Sequence, residues 1–232
     1  MEFTEQHIEQ LYRFTRQHYV EHYDVQTELV DHLANDIEQI LENQPNLTFE
    51  QARDASFKKF GVFGFMNVVE EKQKQMGKQY FKLIFSFVQE WFQLPKLILT
   101  IGIFYIFFLL LDFSFAYYVF TAVYLVVFAV EIFMMYLKKR KYNKKIEVTG
   151  KRWMFEDIII SQGYGNVAFF SYYLLYFIAP EQTTDITVYG KIFVALATSL
   201  AVIIGYITMV VIPNRSEELL EKQYPEYKLS KV

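Results

Sequence analysis

Apolar positions divide the chain into two regimes. Up to about residue 75 they recur at helical spacing with polar residues between them, and beyond about residue 94 they fuse into long unbroken runs. In the first regime Ile8, Leu11, Phe14 and the neighbouring Tyr12 mark one face of a helix. Leu29, Leu33, Ile37, Ile40 and Leu41 mark a second helix, with Glu28, Asp31, Asn35 and Glu38 mostly off the stripe. Asp24 is the expected cap of that helix, and Gln44-Pro45-Asn46 its end, because proline disfavours helical geometry in the residue before it. Thr48 followed by Gln51 forms a capping box for a third helix, with Leu47 and Ala52 placed for a small hydrophobic staple. That helix is expected to stop at Gly61, behind Lys58 and Lys59 in its last turn.

In the second regime four runs approach the ~20 residues that cross a hydrocarbon core. They cover 94–111, 115–137, 155–179 and 189–212. One such run could be a buried core helix, but four predict a polytopic membrane unit. The expected fold class is therefore all-α, a small N-terminal helical domain (1–75) followed by a transmembrane helix bundle of about four spans (94–212). Residues 76–93 carry Tyr80, Phe81, Ile84, Phe85, Val88, Trp91 and Phe92 among Lys82, Ser86, Gln89 and Glu90. They read either as an amphipathic helix at the membrane surface or as an extension of the first span. A tail of residues 213–232 carries a short helix after Ser216, ending before Pro225.

Charge sharpens this division. Residues 1–71 hold 14 acidic and 5 basic side chains, whereas residues 72–232 hold 12 and 18. The cations gather in the lead-in (Lys72, Lys74, Lys78, Lys82, Lys96) and in an expected loop at 138–152. The turn at Asp112 has none and the 180–191 loop only Lys191. The excess of lysine and arginine then places both termini and the 138–152 segment in the cytosol. Lys138, Lys139, Arg140, Lys141, Lys144 and Lys145 are candidate contacts for anionic lipid headgroups, or simply the topology signal. An acidic domain is repelled by phosphates, so nucleic acid is not an expected partner.

Chemistry-bearing residues are sparse. The chain has no cysteine, and no signal peptide is read at its start. No phosphate loop, dinucleotide fingerprint or nucleophile elbow occurs, so no catalytic, cofactor or metal site is expected. His18 and His22 would stand one helical turn apart if the first helix reached them, and His32 has Glu28 and Asp36 at the same spacing. A zinc site or, more simply, local pairing of surface histidines follows from that. Polar groups inside spans are costly and mark Glu131, Gln162 and Asn166 as a candidate intramembrane site, or as interhelical glue. Glycine-bearing faces leave room for an oligomer.

The run Val25-Gln26-Thr27-Glu28-Leu29-Val30-Asp31-His32-Leu33, then Leu47-Thr48-Phe49-Glu50-Gln51-Ala52 and Phe57-Lys58-Lys59-Phe60-Gly61, resembles the HAAS-type domain. That is a small helical signalling domain preceding transmembrane helices in many bacterial proteins, and the likeness covers residues 5–75. Where the family commonly continues Gly-Asp-Pro, this chain reads Gly61-Val62-Phe63-Gly64. The resemblance implies a regulatory or interaction module in the bacterial inner membrane. It would bind a protein partner through residues 1–75; the alternative, which rests on Glu131, Gln162 and Asn166 instead, is a small transporter or an accessory subunit of a transporter or permease.

Overall fold

The computed structural model describes residues 4–162 and 187–230, and everything described is helix or short connection. Two compact units emerge. The first comprises Met1–Lys78 and Gly150–Asp157, the second Gln79–Thr149 and Ile158–Val232.

In the first unit α1 (Glu5–Gln17) packs on α2 (Tyr23–Asn43), and α2 on α3 (Phe49–Lys58). The stripes read from the sequence supply the core. Leu11 and Phe14 from α1, Leu29, Leu33 and Ile37 from α2, and Phe49 and Ala52 from α3 are all buried. The Thr48–Gln51 capping box is present, with Thr48 N–H donating to Gln51 Oε1 (3.0 Å) and Gln51 N–H to Thr48 Oγ1 (3.3 Å). A second box, Thr4 with His7, starts α1. After α3 the chain turns through Gly61 and Gly64, both at positive φ. At Gly64 a side chain is excluded twice over, because a Cβ would also lie 2.8 Å from the Phe57 ring. Behind this turn Phe14, Phe57, Phe60 and Phe65 form an edge-to-face cluster with ring centroids 4.8 to 6.1 Å apart, Phe65 at its centre.

Asp24 does not cap α2. The cap position is His22, without a side-chain bond, and Asp24 lies buried in the first turn. The orphaned amide of Tyr23 instead donates to Arg152 O (2.7 Å), while Asp24 Oδ1 accepts from the Met154 amide (3.1 Å). Residues 150–157 thus close the helix start that Asp24 was expected to close.

Three further expectations change in the second unit. The lead-in is neither a separate 76–93 helix nor a straight extension of the first span. It belongs to α4 (Met66–Trp91), one continuous helix that begins ten residues earlier than expected. Past the cis Leu94–Pro95 bond, α5 (Lys96–Leu110) departs at 91° to it. The expected basic loop is also helix. α6 runs unbroken from Ala116 to Thr149, because Lys and Arg are good helix formers and nothing stops the helix before Gly150, which has positive φ. Finally, the expected span at 155–179 starts within α7 (Met154–Gln162), whose first turn, to Asp157, belongs to the first unit. The rest of that span lies outside the described residues.

α8 (Val188–Tyr206) continues through a π-helical turn, Ile207–Val211, to Asn214. It is followed by α9 (Ser216–Gln223) and a 3-10 turn from Pro225. α5 packs along α8. At one end Leu111, Ala116, Phe120, Val194 and Ala195 form a core beside the Lys191–Asp112 ion pair, and at the other Trp91 meets Tyr206 at 5.4 Å. Two helices, Ala116–Thr149 and Val188–Asn214, are long and apolar enough to cross a membrane, or three if the bent α4–α5 pair counts as one crossing. The protein is therefore all-helical with membrane-spanning character among its described residues. α5 alone has 15 residues, about 22 Å of helix at 1.5 Å each, which is short for a bilayer.

Candidate functional site

The protected positions of α6 form one narrow stripe. Ala116, Phe120, Glu131 and Tyr142 are buried, with Tyr124, Val127, Met134, Lys138 and Lys145 half-buried between and beyond them. These positions recur every three or four residues, while Val123, Val126, Val130 and Phe133 on the remaining surface are exposed. The helix therefore turns its polar groups inward and an apolar surface outward, the arrangement lipid favours.

Glu131 sits in the middle of that stripe at 2% exposure. Neither carboxylate oxygen has a hydrogen-bond partner among the described residues. Lys138 lies two turns further on the same face, but its ammonium is engaged elsewhere, donating to Met209 O (2.9 Å) in the π-helical turn of α8. A π turn displaces the regular hydrogen-bond ladder, so a carbonyl there is a natural acceptor for an outside donor. Of the other expected members of this site, Gln162 ends α7 and Asn166 lies outside the described residues.

The six basic residues separate into two groups. Lys138 is tied to Met209, and Lys145 donates to the Tyr227 hydroxyl with its ammonium 4.7 Å from that ring's centroid. Lys139, Arg140, Lys141 and Lys144 are exposed and remain the headgroup candidates. A signal for the division was present in the sequence, since Tyr117, Tyr124, Glu131, Lys138 and Lys145 recur every seventh residue. In a helix that spacing keeps them on one face.

The histidines do not form the pair their spacing suggested. α1 ends at Gln17 and Tyr19 has a φ of 64°, so His18 and His22 diverge. His18 Nδ1 lies 2.8 Å from Phe14 O, and its ring rests on Phe57. His22 Nε2 lies 3.2 Å from Asp157 Oδ2, which also accepts from Arg152 (2.8 Å), and Arg152 pairs in turn with Glu21. Burial alone would push the Asp157 carboxyl up, but the His22 hydrogen bond and the Arg152 charge hold it below the usual carboxylate range. Nor does His32 take Glu28 and Asp36. Glu28 pairs with Lys72 of α4, and Asp36 with Lys59 (2.6 Å). Glu28, His32, Asp36 and Lys59 line an open groove of about 360 Å³ with Leu29, Ser56, Phe60 and Val68. Among the described residues no group of three or more histidine or carboxylate side chains is placed to hold a metal ion.

Residues 150–157 pack against the start of α2 within the first unit. Trp153, Met154 and Phe155 are buried, with Trp153 edge-on to Tyr23 at 5.3 Å. The Lys151 ammonium lies 4.3 Å from the centroid of the Tyr23 ring, which also stacks on Tyr12. Opposite in character is the turn after α3. Val62 is 99% exposed, and Phe63 and Met66 are exposed beside it, as is Tyr19. Comparison with protein-family models, with curated proteins and with solved structures finds no match to this chain.

Proposed function

We propose that this chain is a regulatory or scaffolding protein of the bacterial inner membrane whose helical unit, residues 4–78 with 150–157, binds a protein partner in the cytosol. The observation that carries this reading is the apolar tip at Val62, Phe63 and Met66, held out by the left-handed glycines Gly61 and Gly64. Large apolar side chains set rigidly in water are costly unless something covers them. The HAAS-type motifs of residues 5–75 support the same reading, as does a unit whose buried groups are spent on packing. The exposed cations Lys139, Arg140, Lys141 and Lys144 favour a cytosolic end for α6, and with it cytosolic termini. α6 and α8 both leave the end marked by Ala116 and Val194, which suits an intervening crossing and a total of four spans.

The test is site-specific photocrosslinking in native membranes with a benzophenone side chain at position 63. A discrete protein adduct, lost when Val62→Asp and Met66→Asp are added, is expected. Adducts to lipid alone would refute the partner reading.

A second reading, a small transporter or an accessory subunit of one, is favoured by a single observation, the unpartnered Glu131 carboxylate inside a spanning helix. Gln162 and Asn166 would join it. Solute flux in proteoliposomes that is indifferent to Glu131→Gln, Gln162→Ala and Asn166→Ala together would remove this reading.

A further inference from the structure

We propose that Glu131 is a binding site for a small monovalent cation, a proton or an alkali-metal ion, exchanged from within the helix bundle. This inference deepens the second reading above and rests on α6 lying in the bilayer.

The argument begins with cost. An ionised carboxylate in an apolar medium is penalised by many kcal/mol unless a cation or several donors attend it. Glu131 has neither among the described residues, although it is 98% buried and both oxygens are shielded. Exposure is not an escape. Glutamate one or two residues to either side of position 131 would stand on the exposed surface of α6, whereas the stripe itself is the covered face.

The neighbouring cations are also accounted for. Lys138 is about 10 Å further along the helix at 1.5 Å per residue, and its ammonium is held by the Met209 carbonyl. Lys145 is another two turns away and engaged with Tyr227. α8, which Lys138 reaches, has no charged side chain between Lys191 and Arg215, and α5 has none after Lys96. Lys191 itself pairs with Asp112. A permanent salt bridge is therefore not what these helices offer to Glu131. A carboxyl that must be neutralised, without a fixed partner among the described residues to do it, takes its cation from solution.

Two other buried polar groups of this unit differ in kind. The Ser199 hydroxyl donates to Ala195 O (2.7 Å), and the Thr208 hydroxyl to Ile204 O (2.9 Å). Both satisfy themselves on their own helix, as hydroxyls in apolar helices do. Glutamate has no such local acceptor when ionised, since its oxygens only accept. The site is thus set apart by chemistry as well as by burial.

The test uses the full chain in lipid vesicles and dicyclohexylcarbodiimide as the probe. A protonated carboxyl adds across one C=N bond of the reagent, the proton passing to nitrogen, and in a dry site the O-acylisourea rearranges to a stable N-acylurea. In water the adduct hydrolyses. Peptide mapping of the unmodified sequence should show Glu131 labelled about tenfold or more over Glu147, which is exposed on the same helix. Labelling that persists in saturating sodium or potassium identifies the proton. Labelling suppressed by one of those ions identifies that ion. Labelling of Glu131 no greater than that of Glu147, in buffer free of alkali metal, overturns the proposal. The readout needs no flux and no variant, so its failure removes the site and leaves the partner reading standing. Flux that fails despite selective labelling removes the transporter reading alone.

Discussion

Replacing Trp153 by alanine should loosen the start of α2, 130 residues away in sequence. Trp153 is 1% exposed and lies edge-on to Tyr23, in the segment whose backbone closes the α2 amide at Tyr23. A buried tryptophan removes roughly 200 Å² from water, about 5 kcal/mol at ~25 cal/mol per Å² and an upper bound because the unfolded chain is already partly collapsed. Large-to-small substitutions of this size cost about 3 to 5 kcal/mol, so ~3 kcal/mol is a cautious figure. A unit of this size has a total stability of roughly 4 to 13 kcal/mol, so the loss is a large share of it. The assay is hydrogen exchange by mass spectrometry on the full chain in nanodiscs, following peptides that cover residues 20–30. A loss of ~3 kcal/mol corresponds to exchange accelerated by about two powers of ten. Trp153→Phe should retain most of the protection. Exchange in that region changed by less than about threefold, with helicity intact, would refute the docking of residues 150–157 on α2.

The remaining predictions concern smaller perturbations. Asp157 is held below its ordinary range in the folded unit, so its contribution is present above the unfolded value, about pH 4, and is lost as the pH falls through the lower folded value. Asp157→Asn should remove that acid-side dependence, read as protection of the same peptides against pH, and an unchanged acid limb would contradict it. Thr48→Ala removes the hydroxyl that accepts from the Gln51 amide in the α3 capping box and should cost about 1 kcal/mol, measured by thermal unfolding of the full chain in detergent, whereas Thr48→Ser should cost little. Lys59→Met removes an ion pair whose lysine is mostly exposed, and should shift stability by less than about 1 kcal/mol. Changing Lys139, Arg140, Lys141 and Lys144 together to glutamine should weaken retention of anionic lipid by up to about 4 kcal/mol, seen in native mass spectrometry, while the Lys138 and Lys145 contacts persist.

What the sequence made legible was local. The break at Pro45, the box at Thr48, the stop at Gly61 and the stripe through Leu29, Leu33 and Ile37 each depend on residues within a few turns of one another. The apolar runs announced spanning character in the same way. What escaped was set by distant partners. Nothing near Asp24 distinguishes a helix cap from an acceptor for the Met154 amide, and Trp153-Met154-Phe155 is as apolar as the opening of a span. The charge of the segment after Leu137 suggests a loop, although charge does not break a helix and only Gly150 does. Glu131 stood out at once by its type, but its isolation depends on Lys138 reaching Met209 and could be known only from the packed helices.

The division of the first unit between two stretches of chain has a consequence for biogenesis. Its last piece, Gly150–Asp157, is synthesised only after α5 and α6 have been made. While the ribosome is still adding those helices, the amide of Tyr23 and the carboxylate of Asp24 have no Arg152 or Met154 to meet. Domains usually fold from the N-terminus as they emerge, at ~5–20 residues per second, so this one waits several seconds in an unfinished state. Synthesis of α5 and α6 thereby becomes a step that the maturation of the first unit must await. A nascent chain stalled before residue 150 would be a natural target for chaperones and proteases, and newly made copies would acquire their finished surface only once α6 is in place.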